Sequence, residues 1–182
     1  MAALAVDYVN ALIDAGRTGE AVKLGESMLE PYGRSLALRA LLVEAYRVLG
    51  NDEKARSHIE AMEEIYKPLA GPAVQRSAEQ SAELAWFYLH YRKRAKQALQ
   101  WAEEAARSAG DDPFVQRVLG AAELAMGRTE PGVRRLKGLV KRDPGAAAIL
   151  ARHYFDNEDA VAGRQAVLDG AGDIRTGEAW RA

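Results

Sequence analysis

The sequence has no cysteine in its 182 residues, which excludes disulfide bonds, thiolate nucleophiles and zinc sites built on cysteine. It has only six prolines, and its valines and isoleucines are few beside its alanines. Alanine loses no side-chain entropy in a helix, whereas β-branched residues lose rotamers there. The composition therefore favours helix over sheet.

A strong charge of either sign is also missing, since the formal net charge is −1. No global field therefore attracts the chain to nucleic acid or to an anionic membrane. No apolar run approaches the roughly 20 residues that span a bilayer. The first residues, MAALAVDYVNALIDAG, include Asp7 and Asp14 and lack the basic start of a signal peptide. We expect no membrane insertion and favour a cytoplasmic location, although a piece of a longer protein would also fit.

What the sequence does contain is a repeated turn pattern. In DAGRTGEAV (14–22), VLGNDEKAR (48–56) and AMGRTEPGV (125–133), a glycine is followed five residues later by a small residue. Gly16 and Gly50 are 34 residues apart, while Gly50 and Gly127 are 77 apart, which is two such intervals and nine residues more. A period of this length indicates stacked structural repeats.

Apolar residues with helical spacing precede and follow each of these glycines. The preceding ones are Leu4, Ala5, Tyr8, Val9 and Leu12, then Leu38, Leu42, Val43 and Tyr46, then Val115, Leu119, Ala122 and Met126. The following ones are Val22, Gly25 and Leu29, then Ile59, Met62 and Tyr66, then Val133, Leu136, Leu139 and Val140. Each unit is therefore predicted to be a helix, a tight turn and a second helix.

The turn residues have separate predicted roles. The glycine would take the left-handed position that ends the first helix. The small residue, which is Ala21, Ala55 or Gly132, would lie where the two antiparallel helices approach most closely.

Another unit lies between these, at residues 81–113, and has no turn glycine. Ala98 lies 34 residues before Gly132, so the period continues through it. Its register is uncertain by one residue. The nine extra residues fall in KPLAGPAVQRSAEQ (67–80), where proline and glycine predict a loop.

Together these features resemble the tetratricopeptide repeat, a helix-turn-helix unit that stacks into a solenoid. The best-matching positions are Leu119, Gly120, Ala122, Gly127, Leu136, Leu139, Asp143 and Pro144. The resemblance covers about residues 3–169 and implies an all-α, right-handed α-solenoid. Two units depart from the pattern, because Gly33 replaces the closing proline of the first and Pro68 closes the second one residue late. Another solenoid of paired helices is the alternative.

On this interpretation residues 1–182 form one tetratricopeptide-like domain. Its units cover about 3–34, 35–68, 78–112, 113–145 and 146–169, with an insert loop at 67–77 and a C-terminal tail or cap at 170–182. Trp180 would fold over the last apolar stripe as a cap, and a frayed end is the alternative.

Motifs for catalysis are absent from the sequence. His58, His90 and His153 fall in different units without a carboxylate at a metal-ligand spacing, and neither a glycine-rich phosphate loop nor a nucleophile elbow occurs. We therefore expect no enzyme, no metal and no cofactor.

Two basic segments, YRKRAK (91–96) and RRLKGLVKR (134–142), are interpreted as solvated faces. The resemblance supports this for 134–142, because second helices form the convex wall of such repeats. An acidic partner is the alternative, and nucleic acid is disfavoured because aromatic platforms are not interleaved with the basic residues.

The resemblance also implies where a partner binds, because first helices line the concave groove in this family. Matching positions give the predicted groove residues Asn10, Glu44, Arg47, Trp86, His90, Phe114, Arg117 and Arg152. A guanidinium beside an aromatic ring can bind a carboxylate bidentately while the ring buries apolar area. The alternative is that Trp86 and Phe114 fill gaps between stacked pairs.

Asn10 matches an asparagine of the carboxylate clamp that captures chaperone C-termini in this family. Val6 and Ala40 stand where that clamp has lysines, which argues against such a receptor. The predicted function is a non-catalytic protein–protein interaction scaffold that binds a peptide or a segment of another protein in the groove. The alternative is a structural or assembly module that packs on a copy of itself, as a homo-oligomer, or on the rest of a longer protein.

Overall fold

The computed structural model describes residues 2–71 and 74–171. Within these ranges the chain contains ten α-helices, one short 3-10 helix and no strand. The α-helices are α1 (Ala2–Asp14), α2 (Thr18–Leu29), α3 (Leu36–Val48), α4 (Asp52–Tyr66), α5 (Ala78–His90), α6 (Ala95–Ser108), α7 (Pro113–Ala125), α8 (Thr129–Lys137), α9 (Pro144–Asp156) and α10 (Ala160–Ala171); the 3-10 helix is Lys67–Leu69. The predicted all-α fold is confirmed. The predicted cap residue Trp180 lies outside the described ranges.

Contacts between helices divide the chain into two compact units, residues 1–74 and 75–182. The first unit contains the hairpins α1–α2 and α3–α4, with α3 packed on both α1 and α2. The second unit contains the hairpins α5–α6, α7–α8 and α9–α10, in which α6 packs on α7 and α8 packs on α9. Within each unit, a second helix thus packs on the first helix of the next hairpin. The interpretation as one domain stays a prediction.

All five hairpins turn through one residue in the left-handed conformation. Three of these residues are the predicted glycines, Gly16, Gly50 and Gly127, with φ of 73°, 70° and 74°. The other two are Lys93 and Glu158, with φ of 56° and 63°. The predicted role of the glycines is confirmed, and the same backbone geometry occurs at two turns whose residues gave no signal for it.

A buried small residue follows each left-handed residue by five positions. These small residues are Ala21, Ala55, Ala98, Gly132 and Gly163. At Gly132 a Cβ atom would lie 2.9 Å from the Leu124 side chain and 3.0 Å from the Gly120 carbonyl oxygen. The predicted close approach of the paired helices is therefore confirmed at Gly132.

The third turn is one residue longer than the others. The N–H of Arg94 donates to the Tyr88 carbonyl, six residues back. At the other turns the corresponding bond spans five residues, as from Arg17 to Leu12 or from Arg128 to Glu123. This extra residue is the physical origin of the register ambiguity in residues 81–113.

Three members of the predicted apolar stripes are exposed. Leu4 and Tyr8 on α1 are 72% and 57% exposed, while Val9 and Leu12 on the same helix are buried. The reason is that no second helix precedes α1 among the described residues, so one side of its stripe has no neighbour. Met126 is 40% exposed because it lies at the C-cap of α7, beyond the last turn that faces the core.

Candidate functional site

The first helices of the second unit, α5, α7 and α9, line a groove of about 330 Å³. Its lining residues are Trp86, Leu89, His90, Lys93, Ala121, Leu124, Ala125, Ile149, Arg152, His153 and Asp156. Most recur at spacings of three or four, which places them on one face of each helix. Three predicted site residues, Trp86, His90 and Arg152, are thus brought together.

One wall of the groove is aromatic and its floor is apolar. The rings of Trp86 and His90 stack with centroids 5.3 Å apart and an interplanar angle of 10°. Leu89, Leu124 and Ile149 are half-buried and supply aliphatic surface from three different helices. Such a surface can bury an apolar side chain of a partner.

The rim of the groove carries an excess of positive charge. Lys93 is exposed at the left-handed turn after α5, and Arg152 on α9 has a side chain that is 78% exposed. The Arg152 Nε lies 3.6 Å from the Asp156 Oδ2, and the Asp156 side chain is 68% exposed. An exposed pair of this kind contributes little stability, so the Arg152 guanidinium can exchange Asp156 for a carboxylate of a partner.

Arg117 lies outside this lining and is held by the chain itself. Its guanidinium carbon is 5.9 Å from the ring centre of Trp86 and 5.1 Å from that of Phe114. Its Nη1 donates to the Asp143 Oδ1 at 2.8 Å. The same carboxylate oxygen accepts the Gly145 N–H at 2.9 Å and so caps α9. We predicted that Arg117 would bind a carboxylate of a partner, but in the structure it binds the carboxylate of Asp143 in the same chain.

Local packing makes room for this arrangement. A Cβ atom at Gly145 would collide with the Arg117 guanidinium, so glycine leaves room for the Arg117 side chain in this position. The Arg117 Nε is buried and has no hydrogen-bond partner among the described residues. Phe114 lines a different depression, together with Ser77 and Ala109. Arg117 therefore contacts the rings of both Trp86 and Phe114 but, like Phe114, is not part of the groove lining.

The remaining predicted residues lie in the first unit, and each is exposed. The Asn10 side-chain amide donates to the Asp14 Oδ2 at 3.2 Å. The Arg47 Nη1 donates to the Glu44 Oε1 at 3.0 Å. These bonds join residues of the same helix, so they do not by themselves form a site.

A polar cluster in the first unit was not predicted from the sequence. The Tyr46 hydroxyl donates to the Glu26 Oε1 at 2.6 Å, and the His58 Nε2 is 3.3 Å from the same oxygen. Burial raises the pKa of Tyr46 to about 12, with Glu26 adding to the effect. Burial also lowers the pKa of His58, although Glu26 opposes this. The cluster joins α2, α3 and α4, which gives it a structural role.

The basic segment 134–142 has two different environments. Arg134, Lys137, Lys141 and Arg142 are exposed, as expected of a solvated face. Arg135 is half-buried and donates to both carboxylate oxygens of Glu123, at 3.0 and 3.1 Å, and to the Gln116 side chain. A polar depression of about 560 Å³ beside it is lined by residues that include Arg134, Arg135 and Arg142.

Within residues 2–71 and 74–171, no three histidine, aspartate or glutamate side chains are grouped as a metal site would require. In the same ranges, every helix is too short or too polar to cross a bilayer.

No family model and no curated protein matches this sequence. Solved structures do match its fold. PilF of Pseudomonas aeruginosa matches at 17% identity and a TM-score of 0.53, over 93% of this chain and 76% of that chain. PilW, a widely conserved type IV pilus biogenesis factor, matches at 16% identity and a TM-score of 0.56, over 95% of this chain and 77% of that chain. Cut9–Hcn1, a hetero-tetramer of the APC/C, matches at 12% identity and 0.55, over 94% of this chain and 33% of that one.

These matching structures are tetratricopeptide-repeat proteins. This chain has the tetratricopeptide-repeat fold. The fold class expected from the 34-residue period is therefore confirmed, and the glycine, small-residue and stripe positions that carried the resemblance mark the helical hairpins of the structure.

Proposed function

We propose that the protein is a non-catalytic interaction module that binds a segment of another protein in the groove of α5, α7 and α9. The observation that carries this proposal is the convergence of an aromatic stack, aliphatic floor and basic rim on one concave surface. Aromatic and arginine side chains at a concave surface are the composition typical of binding hot spots.

The chemistry of the groove defines the ligand that it fits. An apolar side chain of the partner would contact Trp86, Leu124 and Ile149, and acidic groups beside that anchor would pair with Lys93 and Arg152. The groove therefore favours an acidic segment with an aliphatic or aromatic anchor. A neutral or basic segment would leave the rim charges unpaired.

The matching structures give general support to this proposal. One of them, Cut9–Hcn1, is an assembly of different chains, and another, PilW, is a factor in type IV pilus biogenesis. At sequence identities of 12% and 16%, these matches support the fold of this chain but identify no partner for it. The partner class proposed for this chain rests on the residues of its own groove.

Site-specific crosslinking tests the proposal. Because the chain has no cysteine, one introduced cysteine can carry a photoreactive probe at a single position. A probe at Ala125→Cys, an exposed lining position that carries no rim charge, should crosslink the partner, and a probe at Arg134→Cys, an exposed position on α8, should not. Equal crosslinking from both positions, or crosslinking from Arg134→Cys alone, would place the partner elsewhere.

Affinity measurement provides a second test with a matched control. Reversing both rim charges, with Lys93→Glu and Arg152→Glu, should weaken binding of the crosslinked segment at least about tenfold, which corresponds to about 1.4 kcal/mol. The control reverses Arg134, whose side chain is 77% exposed on α8, and should leave the affinity unchanged. Titration calorimetry on variants with unaltered helicity decides between these outcomes.

A further inference from the structure

The contact between successive hairpins buries equivalent positions in α3, α7 and α9, the first helices that follow a second helix of their own unit. Three such positions are buried in α3 and in α7, and two in α9, where the third, His153, is half-buried. These buried residues are Leu38, Leu42 and Ala45 in α3, Val115, Leu119 and Ala122 in α7, and Ala146 and Leu150 in α9. Each set has the same spacing from the left-handed turn residue of its own hairpin. We call these positions the helix seat.

The second helix of the preceding hairpin occupies this seat. On α2, a Cβ atom at Gly25 would lie 2.7 Å from the Leu42 side chain. On α8, Leu136 belongs to one buried cluster with Ala146 and Leu150. Each second helix therefore presents an equivalent position to the seat, which is Gly25 in α2, Ala102 in α6 and Leu136 in α8.

Among the residues that the structure describes, no helix occupies the seat on α1. By the same spacing from the turn, its residues are Leu4, Tyr8 and Ala11. Leu4 is 72% exposed, Tyr8 is 57% exposed, and Ala11 is exposed as well. Their counterparts Leu38, Leu42 and Ala45 are at most 1% exposed. The face therefore has the side chains of a helix seat without the helix.

One described second helix has an open face of the matching kind. In α10 the residue equivalent to Gly25, Ala102 and Leu136 is Val167, and this residue is 49% exposed. In α4 the equivalent residue is Ile59, which is only 8% exposed. Thus α10 is the helix whose seat-facing position remains open among the second helices that the structure describes.

Charges at these two faces are complementary. At the three occupied seats the residue next to the seat is Leu41, Val118 or Ile149, and on α1 it is Asp7. On the second helices that occupy seats the corresponding rim residue is Val22, Leu99 or Val133, and on α10 it is Arg164. These apolar positions of the packed helices are thus replaced by an acid beside the open α1 face and by a base beside the open α10 face; in α4, whose Ile59 is buried, the same position is also a base, Arg56.

We propose that α10 of one copy of this chain binds in the α1 seat of a second copy, with Arg164 beside Asp7. The contact would continue, between chains, the packing that joins the hairpins within each unit. Because the two faces differ, the interface is heterologous, and it leads to open chains or to a closed ring. This inference uses neither the groove nor its ligand, so it stands independently of the proposed function.

Two blocking variants and their mixture test the interface. Tyr8→Glu and Val167→Glu each place an anion at the centre of the contact, where the packing of Gly25 on Leu42 puts these two positions opposite each other, so the two blocked faces also repel each other in the mixture. The wild-type chain should show a mass that rises with concentration in sedimentation equilibrium, and each variant alone should remain monomeric. An equimolar mixture should form dimers and nothing larger, because it contains one intact α1 seat for each intact α10 face.

Charge exchange gives an independent readout. Asp7→Arg and Arg164→Asp should each weaken association at least about fivefold, and the double variant should recover most of that loss, as expected for a direct pair. The controls are Lys23→Glu on α2 and Gln165→Glu on α10, two exposed positions that lie outside the α1 and α10 contact faces. They should associate as the wild-type chain does.

Three results would overturn the proposal. The first is a wild-type chain that stays monomeric at all accessible concentrations. The second is association that Val167→Glu does not affect, since this would indicate a symmetric contact between two α1 faces. The third is association only after removal of residues 172–182, because the chain's own C-terminal segment would then be the occupant of the α10 face.

Discussion

The two compact units form their hairpins with the same backbone but with different turn residues. The first unit uses Gly16 and Gly50, whereas the second uses one glycine, Gly127, together with Lys93 and Glu158. A left-handed conformation costs a residue with a Cβ atom roughly 1–2 kcal/mol. The hairpin geometry is therefore imposed by helix packing, and glycine lowers its cost without being required for it.

The units also differ in the polar groups that join their helices. The first unit uses the cluster of Glu26, Tyr46 and His58, which can titrate. The second uses arginine–carboxylate pairs, such as Arg76 with Glu104, and the hydrogen bonds from Arg76 hold the pKa of Glu104 below its usual value. Arginine stays charged at all accessible pH values. The first unit should therefore respond to pH near neutrality through His58, whereas the Arg76–Glu104 pair keeps its charges over that range.

The largest expected effect is the loss of the Arg76–Glu104 pair. Arg76 donates from Nε and Nη2 to the two Glu104 oxygens, each at 3.0 Å, and its side chain is only 6% exposed. The Ser81 hydroxyl donates to the same carboxylate at 3.0 Å. Glu104→Ala should lower the free energy of unfolding of the second unit by about 2 kcal/mol, between the values for exposed and buried pairs.

The neighbouring residue provides the control for that change. Glu103 pairs with Arg128 at 3.1 Å, but both side chains are about half exposed. Glu103→Ala should cost less than about 1 kcal/mol. Denaturant unfolding followed by tryptophan fluorescence measures both variants, because all three tryptophans lie in residues 75–182. Equal losses in the two variants would contradict a special role for the Arg76 pair.

A smaller loss is expected when a turn glycine acquires a Cβ atom. At Gly50 and Gly127 a Cβ atom would meet nothing within 4 Å, so only the backbone conformation opposes it. Gly50→Ala and Gly127→Ala should each cost about 1 kcal/mol, one in each unit. Thermal unfolding of both variants tests whether the units tolerate the change equally. A cost at only one of them would show that the turns are not equivalent.

The reverse change should stabilise the second unit. Lys93→Gly relieves the left-handed lysine but makes the unfolded chain more flexible, so the net gain should be about 0.5 kcal/mol. Glu158→Gly should give a similar gain. The two differ in function, because Lys93 lines the groove and Glu158 does not. Lys93→Gly should therefore weaken binding of an acidic segment, and Glu158→Gly should leave it unchanged; calorimetry with the crosslinked segment compares them.

The sequence predicted the hairpins well because their determinants are local. Helical spacing, a turn glycine and a small residue five positions later are all visible within about 20 residues, as at Gly127 and Gly132. Lys93 and Glu158 escaped prediction because tertiary packing, and not the residue itself, determines their conformation. The same limit applies to the extra residue in the third turn.

Prediction of the site was less complete because burial and pairing depend on distant residues. The structure places Trp86, His90 and Arg152, which were predicted from family positions, along one groove. Family positions could not show that Asp143 pairs with Arg117 from 26 residues away. Nor could they show that Leu4 and Tyr8 lack a neighbour, since their apolar character is the same whether or not another helix covers them.

The smallest expected effect is a difference in pH response between the two units, arising from His58. Burial holds the pKa of His58 below its usual value of 6.5. Glu26 opposes this decrease, and the positive charges of Arg39 and Lys54 add to it. The unfolded chain therefore binds a proton more readily than the folded one as pH falls through 6.5, and stability decreases in that direction. Burial acts to raise the pKa of Glu26, but hydrogen bonds and charge from Tyr46 and His58 lower it overall. Protonation of Glu26 therefore reduces the stability of the first unit only below about pH 4.5. In the second unit, burial raises the pKa of Glu83, which gives the opposite slope just above 4.5.

Hydrogen exchange on peptides from residues 1–74 and 75–182 separates these responses. Between pH 7 and 5, the free energy of opening of the first unit, measured after correction for intrinsic exchange rates, should decrease as pH falls. Because one group titrates, the slope should be at most about 1.4 kcal/mol per pH unit. His58→Gln can keep a hydrogen bond to Glu26 while it removes the titrating group, so the fall should disappear. His153→Gln, a matched change in the second unit, should leave the fall in place. If His58→Gln retains the wild-type slope, then the cluster of Glu26, Tyr46 and His58 does not make the first unit sensitive to pH, and the electrostatic difference between the units must have another source.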